Sequence, residues 1–303
     1  MRIIYLLPLC FILSRASLPA KNPPATAASK YPPAPAPGKA LPAKNPPAAA
    51  PSKCPPAPTY HLVWSDEFNH DGPPDPANWT FEHGFIRNHE QQWYQPGNAR
   101  CKHGLLIIEA RKEDKPNPDY QPGSTDWRKN RPSIDYTSAC LETRGLHSWK
   151  TGRFEMRGRI DIDPGCWPAW WTLGIDKPWP ANGEIDIMEY YRGKLLANIA
   201  CLGANHKARW YSLKKPVDKK WASKFHVWRM DWDQDSIHLY VDDALMNSTP
   251  LSALVNPDGS QPFAQPHYML LNLAIGGDNG GDPRQTTFPR RFEVDYVRVY
   301  QAN

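Results

Sequence analysis

Short β-type runs occupy most of the chain from residue 60 onward. Runs such as Leu105 to Ala110, Glu184 to Tyr191 and Phe292 to Tyr300 are rich in Ile, Val, Tyr and Phe, with Gly, Pro, Asn and Asp between them. Phe225 to Trp232 and Ser236 to Asp242 are separated by three residues and predict a hairpin. No long stretch has a helical period. About 240 residues of short strands predict a single all-β sandwich or barrel and not two domains.

The first 58 residues differ from the rest and contain no acidic residue. Arg2, the apolar run from Ile3 to Leu13 and the small residue Ala16 predict a secretory signal peptide over residues 1–16, too short to span a membrane. Residues 17–58 contain 14 prolines, filled in with Ala, Lys and Ser. This composition predicts a disordered, polyproline-like linker that buries no core. We therefore expect a secreted protein, extracellular or periplasmic.

Basic side chains are unevenly distributed along the chain. Seven of the 36 basic side chains lie in the first 58 residues, so the remainder carries 29 basic and 31 acidic side chains, a net charge of −2. A nucleic-acid-binding domain is expected to be basic, and a receptor for a strongly sulphated polymer is expected to cluster Arg and Lys. The nearly neutral charge of this remainder argues against a nucleic-acid partner and against a strongly sulphated polymer.

Three acidic residues lie close together in the segment Gly-Glu-Ile-Asp-Ile-Met-Glu-Tyr, residues 183–190. Strict alternation along a strand places Glu184 and Asp186 on one face and Glu189 on the other. A β-bulge near Ile187 and Met188 would return Glu189 to the face of the first two. Like charges this close are unfavourable unless the site uses them.

Hydrolysis of a glycosidic bond with retention uses such a group. It needs an ionised carboxylate as nucleophile and a protonated carboxylic acid for the leaving oxygen, about 5 Å apart. Glu184 and Glu189 are the natural pair, and Asp186 is expected to hydrogen-bond Glu184 and to keep a proton in the group near neutral pH. For an isolated Glu-x-Asp, a half-solvated strand face is the alternative.

Tryptophans upstream of the acids favour a catalytic site over a half-solvated strand face. Trp167, Trp170 and Trp171 precede them closely, and Trp179 follows before Glu184. Sugar rings present flat C–H faces that stack on indole, so the cluster indicates a saccharide cleft. About half of these indoles are expected to be core instead.

Four motifs occur in order along the chain: Trp64-Ser-Asp-Glu-Phe68, Trp167-Pro-Ala-x-Trp171, Trp179-Pro-x-x-Gly-Glu-Ile-Asp-Ile-Met-Glu189 and Val294-Asp-Tyr-Val-Arg-Val-Tyr300. Together they resemble the laminarinase-like members of family 16 of the glycoside hydrolases. The resemblance implies a β-jelly-roll sandwich of two curved antiparallel sheets with a concave cleft, a catalytic domain over residues 59–303, and a retaining endo-acting mechanism. It implies Glu184 as nucleophile, Glu189 as acid/base and Asp186 as their assistant, with no cofactor required for catalysis.

The form with Met188 inserted is similar to that of the β-1,3-glucanases and agarases of the family. We therefore expect a monomeric endo-β-1,3-glucanase whose partner is a polysaccharide such as laminarin. Another β-linked polymer (mixed-linkage glucan or an agar-type galactan) and transglycosylation remain open, because loops decide substrate choice. A glucan-binding lectin is the alternative from another class, and intact Glu184 and Glu189 argue against it.

The resemblance also predicts which residues bind the substrate. The segment Asn88-His-Glu-x-Gln-x-Tyr94 resembles the part of the family that lines the nonreducing side of the cleft. Between Leu195 and His206 the chain departs from the usual Thr-x-His spacing, which leaves the leaving-group side undefined. Surface-loop or core packing is the alternative reading for most of these positions. The expected substrate-binding residues are Arg87, Asn88, Glu90, Trp167, Trp171, His206, Trp210 and Asn272.

A structural calcium ion is a further expectation from the resemblance. Glu67, Gly104 and Asp295 match by position the family's ligands, which are an acid near the first strand, a Gly carbonyl and an Asp near the last strand. Oxygen ligands from distant segments suit calcium. Solvated acids are the alternative.

Overall fold

The computed structural model describes residues 59–303, so the predicted signal peptide and linker lie outside the described residues. Seventeen strands and two short helices follow one another along this part of the chain. The strands are β1 Tyr60–Asp66, β2 Thr80–Phe81, β3 Gln92–Tyr94, β4 Ala99–Lys102, β5 Leu105–Pro116, β6 Ser133–Ser138, β7 Cys140–Glu142, β8 Gly152–Ile160, β9 Cys166–Gly174, β10 Glu184–Tyr191, β11 Lys194–Leu202, β12 Ala208–Pro216, β13 His226–Trp232, β14 Ser236–Val241, β15 Ala244–Pro250, β16 His267–Ile275 and β17 Arg290–Ala302, and the helices are α1 Lys219–Ala222 and α2 Gly277–Gly280.

The strands form two sheets that sandwich the core, as predicted. One sheet has the order β15-β14-β13-β8-β17-β5-β6-β3, with β1 on β17 and β4 on β5. The other has the order β12-β11-β10-β9-β16-β7-β2. All pairs are antiparallel except β3 with β6. That pair is parallel because β3 continues into β4, and β5 then reverses the chain direction before β6 reverses it again.

Alternation along the strands explains the core. Every second residue of β8 is buried, and Phe154 and Met156 are among those that pack inside. Strands β9 and β16 are buried on nearly all positions, because one face covers the core and the other forms the floor of a cleft. Trp170 is fully buried in the core, whereas Trp167 and Trp171 line the cleft. Of Trp167, Trp170 and Trp171, only Trp170 is therefore core, which is fewer than the half that we expected.

The first and last strands of the described region pair with each other. Tyr60 lies opposite Ala302 and Asp66 opposite Val297. The backbone N–H of Asn303 also donates to the carbonyl of Thr59 at 3.0 Å. Within residues 59–303, no helix has the length and apolar character needed to cross a bilayer.

Candidate active site

A β-bulge in β10 brings the three acids to one face. Asp186 lies opposite Asn198 of β11, but Glu189 lies opposite Leu196, so two residues of β10 face one residue of β11. The pairing of β10 with β9 shifts in the same place. Both residues of the bulge, Ile187 and Met188, are buried in the core. Glu189 therefore returns to the cleft face, as the sequence predicted.

The acids line a cavity of about 340 Å³ on the outer face of the seven-stranded sheet. Strands β9, β10, β12 and β16 supply its floor, and the segment before β3 and the loop before β10 supply its sides. Aromatic surfaces with a few fixed polar groups are the usual composition of a saccharide site. The lining residues are Arg87, Asn88, Glu90, Trp167, Ala169, Trp171, Leu173, Trp179, Glu184, Asp186, Glu189, Trp210, Asn272 and Asn279.

Glu184 is the most accessible of the three acids. The Trp179 indole N–H donates to its Oε2. Burial raises the pKa of Glu184, while the Trp179 donor, a hydrogen bond with Asp186 and the charge of Arg87 oppose that rise. Burial, followed by the charges of Glu184 and Glu189, raises the pKa of Asp186 well above its ordinary value. Asp186 is therefore the acid that holds a proton for Glu184, which favours an ionised Glu184.

Glu189 is buried and accepts hydrogen bonds from two neutral donors. Trp167 Nε1 donates to its Oε1 at 2.8 Å, and Asn198 Nδ2 donates to its Oε2 at 2.6 Å. The same Asn198 nitrogen donates to Asp186 Oδ2 at 3.1 Å. Burial and the negative charge of Glu184 raise the pKa of Glu189 to about 7, against the effect of the two donors. Glu189 can therefore carry a proton near neutral pH, while the Trp179 donor, the Asp186 hydrogen bond and Arg87 favour the ionised form of Glu184.

Arg87 and Glu90 form one side of the cavity. The guanidinium of Arg87 lies over the Trp171 ring, 5.1 Å from its centroid, and pairs with Glu82. Glu90 is 2% exposed and accepts from Asn88 Nδ2 at 3.2 Å. Burial raises the pKa of Glu90. The side that the sequence assigned to the nonreducing end is thus a fixed polar wall.

Hydrogen bonds connect that wall to the aromatic floor. Trp171 Nε1 donates to Asn272 Oδ1 at 2.7 Å, and Asn272 Nδ2 donates to the Tyr94 hydroxyl at 3.1 Å. The Tyr94 hydroxyl in turn donates to Glu90 Oε2 at 3.2 Å. Asn272 therefore fixes the orientation of Trp171 and does not serve only as core packing.

The opposite side of the cavity carries Trp210 of β12, which is 47% exposed. His206 does not lie on this side of the cavity. Strand β11 continues to Leu202, so His206 lies in the exposed turn beyond the strand end and outside the cavity lining. The expectation that His206 contacts substrate is therefore not supported, because the paired strands carry the turn past the cleft floor.

Three residues at or beside the acids were not among the expected substrate residues. Trp179 and Asn279 line the cavity, and Asn198 contacts two of the acids. Trp179 could have been inferred, since it lies five residues before Glu184 in the same motif. Asn279 belongs to the short helix α2, which no sequence pattern predicted.

The expected calcium ligands lie outside this cavity. Glu67 accepts two 2.8 Å hydrogen bonds from Arg298, and Asp295 pairs with Arg157 at 2.5 Å. Gly104 follows β4 with a φ of +74°. Because guanidinium groups hold both carboxylates, the residues in this arrangement do not fit a calcium ion. The resemblance predicted this calcium site, and an ion could bind here only if both arginines released their carboxylates.

Thermal unfolding checks the calcium prediction. With both carboxylates already neutralised, we expect Tm values in EDTA and in excess calcium chloride to agree within about 1 °C. A Tm that rises with calcium concentration, and that ceases to do so in Glu67→Gln, would instead show that the ion displaces the arginines.

Comparisons with known proteins agree with this geometry. Residues 89–298 match the family described as glycosyl hydrolases family 16. A β-glucanase from Rhodothermus marinus is 38% identical over 266 residues, which cover 80% of this chain and 85% of that protein. The solved laminarinase from Rhodothermus marinus is 38% identical with a TM-score of 0.67, and the match covers 81% of this chain and 99% of that one.

A second solved structure extends the comparison. It is described under the endo-acting O-glycanases that prominent members of the human gut microbiota express to initiate mucin breakdown. It is 34% identical with a TM-score of 0.75, and the match covers 84% of this chain and 94% of that one. Because the family match covers most of the chain and the relatives cover most of the described region, the chain is a glycoside hydrolase and belongs to family 16 of the glycosyl hydrolases.

Proposed function

We propose that this protein is an endo-acting glycosidase that hydrolyses β-1,3-glucan with retention, with Glu184 as nucleophile and Glu189 as acid/base. One observation carries the proposal: the bulge at Ile187 and Met188 turns both glutamates into one aromatic cavity, where their environments differ. The β-glucanase and laminarinase relatives support the choice of polymer.

In the first step, the ionised carboxylate of Glu184 attacks the anomeric carbon. The bond from that carbon to the leaving oxygen breaks, and the leaving oxygen takes the proton of Glu189. Asp186 supports this step through its hydrogen bond to Glu184, which keeps Glu184 ionised despite its burial. When the sugar binds, the Trp179 N–H must release Glu184 Oε2 or share that oxygen with the anomeric carbon.

In the second step, Glu189 acts as a base. It takes a proton from water, and the resulting hydroxide oxygen attacks the anomeric carbon and displaces Glu184. A residue that gives and then takes a proton works best with a pKa near the working pH. The pKa of about 7 for Glu189 meets that requirement.

The pH dependence of kcat/KM should report the ionisation of both Glu184 and Glu189. We expect kcat/KM to fall above about pH 7, because Glu189 must be protonated in the first step and loses its proton as pH rises through its pKa. On the acid side, kcat/KM falls when Glu184 takes a proton. Initial rates on laminarin between about pH 4 and about pH 9 check this, and Glu189→Gln should lack the basic limb. A flat profile up to pH 9 would contradict the assignment of Glu189.

Reducing-end release from laminarin, lichenan, agarose and carrageenan tests the substrate. We expect laminarin to be cleaved fastest, with oligosaccharide products of several lengths because the cleft acts within chains. Proton NMR of the fresh product should show the β anomer if the mechanism retains configuration. Binding to laminarin without release from any polymer would instead indicate a lectin.

A second candidate is endo-cleavage of β-linked glycans of the O-glycan type. One observation favours it: the O-glycanase structure superposes with the higher TM-score of the two described above. Mucin O-glycans should be added to the panel. Release from mucin and none from laminarin would favour this candidate while keeping the roles of Glu184 and Glu189.

We also propose that residues 1–16 direct secretion and that residues 17–58 serve as a linker to a monomeric catalytic domain of residues 59–303. The apolar run and the proline content support the first two assignments. Mass spectrometry of the mature protein checks the cleavage site, and light scattering checks the oligomeric state. A mature chain that still starts at Met1 would contradict the signal peptide.

A further inference from the structure

Asn198 is the only polar residue in the central part of β11 that faces the cleft. Its neighbours on that face are Leu196 and Ala200, and the intervening Ala197 and Ile199 belong to the core. The bulge in β10 shifts the register so that Asn198 lies directly opposite Asp186. Asn198 is 3% exposed, so its contacts are made within the protein.

The amide of Asn198 joins two of the acids. Its Nδ2 donates to Glu189 Oε2 at 2.6 Å and to Asp186 Oδ2 at 3.1 Å. Its own Oδ1 is buried and has no hydrogen-bond partner among the described residues. An unpaired buried carbonyl oxygen is costly, so this orientation is stable only because the two N–H bonds to carboxylates are strong.

We propose that Asn198 is a positioning residue for the acid/base, which it holds through Glu189 Oε2 in one rotamer beside Asp186 during both steps. The proposal rests on the proposed function, in which Glu189 gives and takes the proton. Trp167 holds the other oxygen, so the carboxyl plane of Glu189 is fixed from two strands.

A neutral donor suits this position. A lysine or arginine here would keep Glu189 ionised and remove the acid needed for the first step, and an apolar residue would leave the buried carboxylate without a donor on Oε2. An amide stabilises the anion for the second step without forbidding the protonated form. Burial and the charge of Glu184 raise the pKa of Glu189, and the hydrogen bond from Asn198 makes that rise smaller.

Other charged and titratable groups also act on Glu189. Glu184 and Asp186 lie on the same strand, and Tyr191 lies near its end. Lys214 on β12 lowers the pKa of Glu189. A neutral replacement for Asn198 leaves all of these side chains in place. It removes one hydrogen bond from Glu189 and one from Asp186, which Asn198 also contacts.

The test is the pH profile of Asn198→Ala on the polymer that the wild type cleaves. Losing a donor to the ionised form raises the pKa of Glu189, so the basic limb of kcat/KM should move up by about one pH unit. We expect kcat to fall about tenfold to 100-fold and KM to change less than threefold, because Asn198 does not line the cavity. Asn198→Ser, whose shorter hydroxyl reaches one acid at most, should give a smaller shift.

Ser212→Ala is the matched control. Ser212 pairs with Asn198 from the neighbouring strand β12 and is exposed, so the variant should keep the wild-type profile. Circular dichroism and Tm establish that each variant is folded. A folded Asn198→Ala or Asn198→Ser with a basic limb at the wild-type position, whatever its rate, would overturn the proposal.

The two proposals fail differently. If the wild type cleaves no polymer, or if Glu189→Gln keeps full activity, the proposed function fails. If the wild type is active, Glu189→Gln has lost most of its activity and the Asn198 variants keep the wild-type limb, only the inference about Asn198 fails.

Discussion

Replacing Glu184 by glutamine should lower kcat/KM on laminarin by about four orders of magnitude or more, with the fold intact. Glutamine has almost the shape of glutamate and can still meet Trp179, but it has no negative charge with which to attack the anomeric carbon. The measurement is reducing-end release with a large excess of enzyme, together with circular dichroism. Glu155→Gln, on the other sheet in β8, is the matched control and should keep wild-type activity.

Azide rescue separates the roles of the two glutamates. In Glu184→Ala, azide fills the space of the lost nucleophile and should give the α-glycosyl azide from an activated aryl glycoside. In Glu189→Ala, azide takes the place of water after the glycosyl-enzyme has formed and should give the β-glycosyl azide. The reverse outcome would exchange the nucleophile and the acid/base, and full activity in both variants would remove the carboxylate pair from the mechanism.

Replacing each of two tryptophans by alanine should have opposite effects: one variant should lose stability and the other should lose substrate affinity. Trp170 is fully buried in the core, so Trp170→Ala should lower the free energy of unfolding by about 3–5 kcal/mol. Trp210 is 47% exposed at the cavity, so Trp210→Ala should change stability by less than about 1 kcal/mol but raise KM, because a sugar loses its stacking surface.

Urea unfolding and initial rates measure both effects. Trp170→Phe is a useful control, since the Trp170 indole N–H has no hydrogen-bond partner in the described part of the chain, and the smaller ring should cost less than alanine. If Trp210→Ala proved the more destabilising of the two alanine variants, the division of these indoles between core and cleft would be wrong.

The sequence was sufficient to predict the sandwich because its strands alternate or carry β-branched and aromatic residues with turn residues between them. The predicted limits of β10, residues 184–191, are those observed, and the hairpin of β13 and β14 is present. The bulge was also predictable, because three acids on an apolar strand share a face only if Met188 is accommodated. The parallel β3–β6 pair was not, since three-residue strands carry little signal.

Asn198 shows why part of the site could not be predicted. The turn that pairs Tyr191 with Lys194 would, in a regular hairpin, place Ile199 opposite Asp186. Only the bulge shifts the register by one residue and exchanges Ile199 for Asn198. The arginines on Glu67 and Asp295 were missed for a similar reason, since Arg298 and Arg157 reach those carboxylates from paired strands that are distant in sequence.

Pairing of β1 with β17 has a consequence for how the protein folds. The two strands pair although almost the whole length of the described region separates them in sequence, so their pairing closes a long loop. During synthesis from the N-terminus, β1 has no partner until β17 has been made. The backbone groups of β1 that pair with β17 therefore stay unpaired in the meantime, and this part of the sheet is completed only after β17 has been synthesised.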